Sequence, residues 1–186
     1  AQKVGQYTAE LYNHFQEVKE YFESTVENPT DYETMDKDAK VSEYFVKGEK
    51  LKEEGELFKA KMREYRDKMQ QLLPGDQYSE FISSINEKFS AADVTPRDAA
   101  EGATEDYIRY HFVGYPLISS ITKISNLQHD LKIIENEIYS VMLQGQLTSI
   151  ASMDNYSTLL EQPKGAYYQD EPFDGSVVLG RVDEST

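Results

Sequence analysis

Apolar residues recur at three- and four-residue steps over several stretches of this chain, the spacing that predicts helices with one buried stripe each. The clearest stripe is Leu117, Ile121, Ile124, Leu127, Leu131, Ile134, Ile138 and Val141. It predicts a single helix from Pro116 to Gln146, about 45 Å long at about 1.5 Å per residue. An earlier stripe of Val4, Leu11, Phe15, Val18 and Phe22 predicts a helix over residues 3–27, ended by Asn28-Pro29, because proline disfavours helical backbone in its predecessor. A third, Leu51, Phe58, Met62, Tyr65, Met69 and Leu72, predicts a helix from Ser42 to Leu73. Glu64 and Lys68 pair one turn apart on it, while Gly48 and Gly55 weaken its first half.

Punctuation between these stretches is clear. Pro74-Gly75 is a stop, and Asp76 an N-cap for a short helix turning Tyr78, Phe81, Ile82, Ile85 and Phe89 inward. Thr95-Pro96 reads as another helix start, closed by Gly102, with Thr104 capping a helix from Tyr107 to Phe112. Thr30 and Glu33 fit a capping box, but the acidic, apolar-poor stretch from Asp31 to Lys40 reads better as a loop. Gly114 and Pro116 break the path before the long helix. The sum is a mainly α chain, an antiparallel bundle of three or four long helices with a helical connector.

After Gly145 the period changes. Tyr156 to Leu160, Ala166 to Gln169 and Ser176 to Val182 are short strand-like runs separated by proline- and glycine-rich turns. Three strands are too few for a sandwich. The reading is therefore a helical domain over 1–150 and the first strands of a truncated β-sandwich domain over 151–186, in a fragment of a longer protein.

Charge narrows the function. Nineteen Lys and Arg against 34 Asp and Glu give a net charge of −15, a surface that repels nucleic acid and anionic membranes. No cysteine is present, which removes disulfides, thiolate zinc sites and cysteine nucleophiles. No stretch approaches the ~18 apolar residues of a membrane span, and no charged-then-apolar leader opens the chain. Any anchor is expected before Ala1.

Candidate chemistry is thin. His14 and Glu17 stand three apart on one helix, within reach of a shared metal, but no second ligand pair accompanies them, so a surface polar pair is the better reading. His129 and Asp130 are adjacent on the polar side of the long helix, and His111 reads as packed or capping. Glu53-Glu54, Glu135 with Glu137, and Asp36 with Asp38 read as solvated acidic faces, and the last lacks the glycine and distal Glu of a calcium loop. Asn155-Tyr156-Ser157 fits a glycosylation sequon of little weight. Tyr107, Tyr110, Tyr115, Tyr167 and Tyr168 suit an interface, but half-buried places at the edge of a core are the better reading. No catalytic residue, cofactor site or metal site is assigned, and no enzyme is expected. Gln128 with Ser119, Ser120 and Ser125 would be the polar groups of an alternative, an extracytoplasmic ligand-sensing bundle.

Three blocks carry a family resemblance. They are Tyr115-Pro-Leu-Ile-Ser-Ser-Ile-Thr-Lys-Ile-Ser-Asn-Leu-Gln-His-Asp-Leu-Lys, Leu143-Gln-Gly-Gln-Leu, and Pro163-Lys-Gly-Ala-Tyr-Tyr-Gln-Asp-Glu-Pro-Phe-Asp-Gly-Ser-Val-Val-Leu-Gly-Arg-Val-Asp. In order and distance they resemble the GldM/PorM family of the bacterial type IX secretion and gliding-motility apparatus. The resemblance implies a periplasmic domain of an inner-membrane protein, anchored by a transmembrane helix that this chain lacks. It implies a homodimer coupled to a GldL/PorL-type partner in the inner membrane. A ring of GldK and GldN, or PorK and PorN, would be met at the outer membrane. Its role would be non-enzymatic transmission of force derived from the proton gradient.

Overall fold

A computed structural model describes residues 1–37, 39–97, 102–150, 156–161, 163–166, 172 and 175–181. The chain divides into two compact units, Ala1–Tyr139 and Ser140–Thr186. Helix α1 spans Gln2–Ser24 and buries Val4, Leu11, Phe15, Val18 and Phe22, the stripe read from spacing, together with Thr8. It ends a turn before Asn28-Pro29. Ser24 and Thr25 hydroxyls donate to the carbonyls of Tyr21 and Phe22, satisfying the last turn locally.

The acidic stretch is not simply a loop. Asp31, rather than Thr30, begins a four-residue helix α2 (Tyr32–Met35), accepting from the Glu33 N–H and the Thr34 hydroxyl. Met35 is buried below it. The expected helix from Ser42 to Leu73 is two helices. α3 (Ala39–Phe45) runs into a hairpin of β1 (Val46–Lys47) and β2 (Lys50–Leu51), and α4 (Glu53–Leu72) follows. Gly48, at φ +63°, is the first of the two loop residues, where type II′ hairpins place glycine. At Gly55 an added Cβ would stand 3.0 Å from the Phe45 carbonyl oxygen, so the glycine lets α4 start against the end of α3.

After α4, Gly75 (φ +113°) precedes a 3₁₀ turn, Asp76–Tyr78, and α5 (Ser79–Lys88). Asp76 lies inside that turn and caps nothing. Only Ile85 and Phe89 of the expected inward set are buried, with Tyr78, Phe81 and Ile82 at the margin. Thr95 and Pro96 are irregular, and the helix expected after them falls outside the described residues. Val94 and Glu105 exchange two backbone bonds of 2.8 Å, which draws the chain into an extended bridge beside Thr104. Asp106 therefore caps α6 (Tyr107–Phe112) in place of Thr104.

Helix α7 runs from Leu117 to Ile150, 34 residues. Leu117, Ile124, Leu127, Leu131, Ile134 and Ile138 are buried along it, whereas Ile121 and Val141 are half-exposed and Ser120 and Gln128 take inward places. Both α4 and α7 run antiparallel to α1. Along α1, Glu10 meets Lys68 and Phe15 meets Phe58 further back along α4. Gly5 lies against Tyr139 and Tyr12 against Gln128, further back along α7. The core centres on Phe58, whose ring lies 5.1, 5.7 and 5.4 Å from those of Phe15, Phe45 and Phe112. Fully burying such rings supplies most of the driving force for joining these helices.

In the second unit, β3 (Tyr156–Glu161) pairs antiparallel with β4 (Ser176–Arg181), in register from Tyr156↔Arg181 to Glu161↔Ser176. These are the first and third expected strands. Ala166 of the second is irregular, and Tyr167–Gln169 lie outside the described residues, as does Asn155 of the sequon, whose Tyr156 and Ser157 begin β3.

Candidate functional site

Bundle helices slide unless something fixes their register, and here polar ties do so at several depths. Lys59 lies on the buried stripe of α4, four residues after Gly55 and three before Met62, and is only 6% exposed. Its Nζ lies 2.5 Å from Asp106 Oδ2 and 3.4 Å from Glu56 Oε2. The other oxygen of Asp106 accepts from the Ile108 and Arg109 N–H groups. One carboxylate thus neutralises a buried cation and starts α6. Lys88 of α5 meets Asp130 of α7 at 2.7 Å. Lys68 joins Glu64, as its one-turn spacing predicts, and also Glu10 of α1.

Gln128 is the polar centre between α1 and α7. Its Oε1 accepts from Lys19 Nζ at 3.1 Å, and its Nε2 donates to the Tyr12 carbonyl and to Gln16 Oε1 at 3.2 Å. The amide is committed inside the bundle. Ser119 is exposed, Ser120 buried with an unpartnered hydroxyl, and Ser125 half-buried, so the three serines do not converge on it.

The histidines separate. His14 is not a surface group: it packs on the Phe58 ring at 6.0 Å, its Nε2 is buried without a partner, and Glu17 stands 4.0 Å from its Nδ1. Burial holds its pKa below the usual value. His129 is exposed, and its neighbour Asp130 belongs to Lys88. His111 is packed, as expected, against Tyr107 and Tyr110. Lys123 Nζ sits 2.9 Å from its Nδ1 and 3.1 Å from its carbonyl oxygen. An ammonium has no lone pair, so Nδ1 is the acceptor and the ring is neutral with its proton on Nε2. Burial, then the Lys123 charge, pushes the His111 pKa down to about 4.

The acidic pairs also divide. Glu53 and Glu54 occupy the first turn of α4, where the positive helix end favours them. Glu137 is exposed, but Glu135 is buried, held by Lys132 at 2.9 Å and the Tyr139 hydroxyl at 3.3 Å, and is no part of a solvated face. Asp36 is exposed and Asp38 lies outside the described residues. Tyr107 is buried, Tyr110 half-buried and Tyr115 exposed. The hydroxyls of Tyr65 and Thr8 are buried beside each other, and burial raises the Tyr65 phenol to about 12. Among the described residues no group of three or more His, Asp or Glu is placed to hold a metal ion. No helix among them is long and apolar enough to cross a membrane.

Residues 1–145 match the family model described as the GldM N-terminal domain. The chain belongs to the GldM family. A comparison with curated protein sequences finds no match. Membership makes this GldM domain a structural part of a gliding-motility or type IX secretion motor component, from the extracytoplasmic portion of a membrane protein. Sequence spacing missed two features of the GldM domain, the Lys59–Asp106 tie and the His111–Lys123 pair. For the first a signal existed, a lysine on an apolar stripe. For the second there was none, since Lys123 sits among polar neighbours on α7.

Proposed function

We propose that this GldM domain is a force-transmitting, non-enzymatic strut of the periplasm. It works as a homodimer between a proton-driven GldL/PorL-type inner-membrane complex and a GldK/GldN or PorK/PorN ring. In this reading residues 1–150 are the helical part of the arm and 151–186 begin an Ig-like β-sandwich domain. The observation that carries it is the set of cross-helix ties, Lys59–Asp106, Lys88–Asp130, Lys68–Glu10 and the Gln128 centre. Apolar contacts alone resist separation but tolerate small slips. Directional polar bonds beside them, from the buried Lys59–Asp106 pair to the exposed Lys68–Glu10 pair, oppose sliding along the helix axes, the motion that a load would cause. The β3–β4 pair supports the domain division, since an isolated two-stranded hairpin is marginal in water and gains stability from further strands.

A flexible Gly-Ser insert of six residues after Gln144, in the full-length protein in cells, tests the reading. The expected result is normal assembly of the membrane complex with loss of gliding or of type IX secretion. Undiminished movement and secretion with the insert in place would refute force transmission through α7.

A further inference from the structure

Beside the start of α7 lies an open groove of about 320 Å³ lined by Ile118, Ser119, Thr122, Lys123 and Asn126. A second hollow of about 250 Å³, lined by Pro29, Thr30, Met35 and Ile118, shares Ile118 with it. Ile118 and Tyr115 are exposed, at 37% and 43%. The groove has an apolar side and one cation.

That cation lacks a counter-charge. Lys123 is half-buried, its Nζ lying over the Phe112 and Tyr115 rings at 5.7 and 5.3 Å. Two of its three protons go to the Nδ1 and the carbonyl oxygen of His111. Among the described residues no carboxylate reaches it, although the chain carries 34 Asp and Glu against 19 Lys and Arg. An exposed lysine needs no carboxylate because water solvates it. A half-buried one, held against rings and a neutral imidazole, has lost part of that water. Burial accordingly holds its pKa below the usual value.

We propose that this groove docks a partner-protein segment in which a carboxylate is flanked by apolar side chains. The carboxylate takes the remaining proton of Lys123, with the exposed Ser119 hydroxyl beside it, and an apolar neighbour enters the hollow under Ile118. A net charge of −15 disfavours polyanions such as nucleic acid, so the match is to a single acid set in apolar sequence. An open groove suits an extended peptide, whereas small-molecule sites enclose most of their ligand. The inference rests on the groove alone and stands or falls apart from force transmission.

The test is an amide NMR titration of the 186-residue chain with the capped peptide acetyl-Leu-Asp-Leu-amide, its Asn counterpart, and isovalerate. Saturable shifts at Ile118, Ser119, Thr122 and Lys123 are expected with the Asp peptide. Binding of the Asn peptide should be weaker by about fivefold or more, the ratio for exchanging a charge-assisted bond for a neutral one. Lys123→Gln should abolish the shifts. Ser119→Glu, which places a carboxylate one turn before Lys123, should abolish binding and raise Tm. It keeps the test decisive if Lys123→Gln does not fold. Equal binding of the Asp and Asn peptides, or undiminished binding to Ser119→Glu, overturns the proposal. Saturation by isovalerate with none by the peptide also overturns it, pointing instead to a small-acid site.

Discussion

Replacing Lys59 by methionine isolates the tie between α4 and α6. Methionine keeps the length and most of the packing of the stem, so what is lost is the charge. Asp106 then stands without its cation but is not stranded: its side chain is 22% exposed and still accepts from the Ile108 and Arg109 N–H groups. Removing one member of a fully buried pair costs about 3–5 kcal/mol. Partial solvation and the retained cap bonds bring the expected cost to about 2–3 kcal/mol. At roughly 2–4 °C per kcal/mol for a chain of this size, Tm should fall by about 4–12 °C. Asparagine caps helices nearly as well as aspartate. Lys59→Met combined with Asp106→Asn should therefore be at least about 1 kcal/mol more stable than the sum of the single changes predicts. Urea unfolding followed by circular dichroism, with the slope unchanged between variants, measures all three. A single variant within about 0.5 kcal/mol of the parent, or strict additivity in the double, would refute the assignment of the pair as a register-fixing tie.

Acid should weaken the fold through His111. Its folded pKa is lowered to about 4, so the neutral ring contributes stability that is present above the unfolded value near 6.5 and is lost as pH falls toward 4. His111→Gln should flatten the stability profile in that window, read by urea titrations at several pH values, and an unchanged profile would exclude His111 as a source. Two glycines should respond oppositely to alanine: Gly48→Ala, forced to φ +63°, should lose about 1 kcal/mol. Gly145→Ala, in α7 with nothing within 4 Å of its new Cβ, should gain about 0.5–1 kcal/mol, and thermal melts decide both.

Much of the bundle was readable from spacing because burial follows the helix period. Phe15, Phe58, Ile124 and Leu131 all point where that period puts them. The hairpin between α3 and α4 was not readable. Its strands are two residues each, too short to show alternation, and the helix-like stripe around them continues nearly in phase. Caps failed for another reason. Thr104 and Asp106 both suit the place, and the choice belongs to the Val94–Glu105 bridge, a contact between residues far apart in sequence. Lys59 was visible as a lysine on an inward stripe, yet its carboxylate lies 47 positions away and no local spacing identifies it. The groove at Lys123 was invisible because a missing counter-charge can be seen only once the neighbours are in place.

Helix α7 buries side chains up to Ile138, and from Ser140 to Thr148 it buries none. A peptide that short is seldom helical in water, since starting the first turn fixes several residues for one bond. This end of α7 avoids that cost because it is extended from turns already formed and packed. Its helicity is inherited. Cleavage just after Tyr139 should let the released end unwind, so order in that last stretch reports whether the bundle before it is folded.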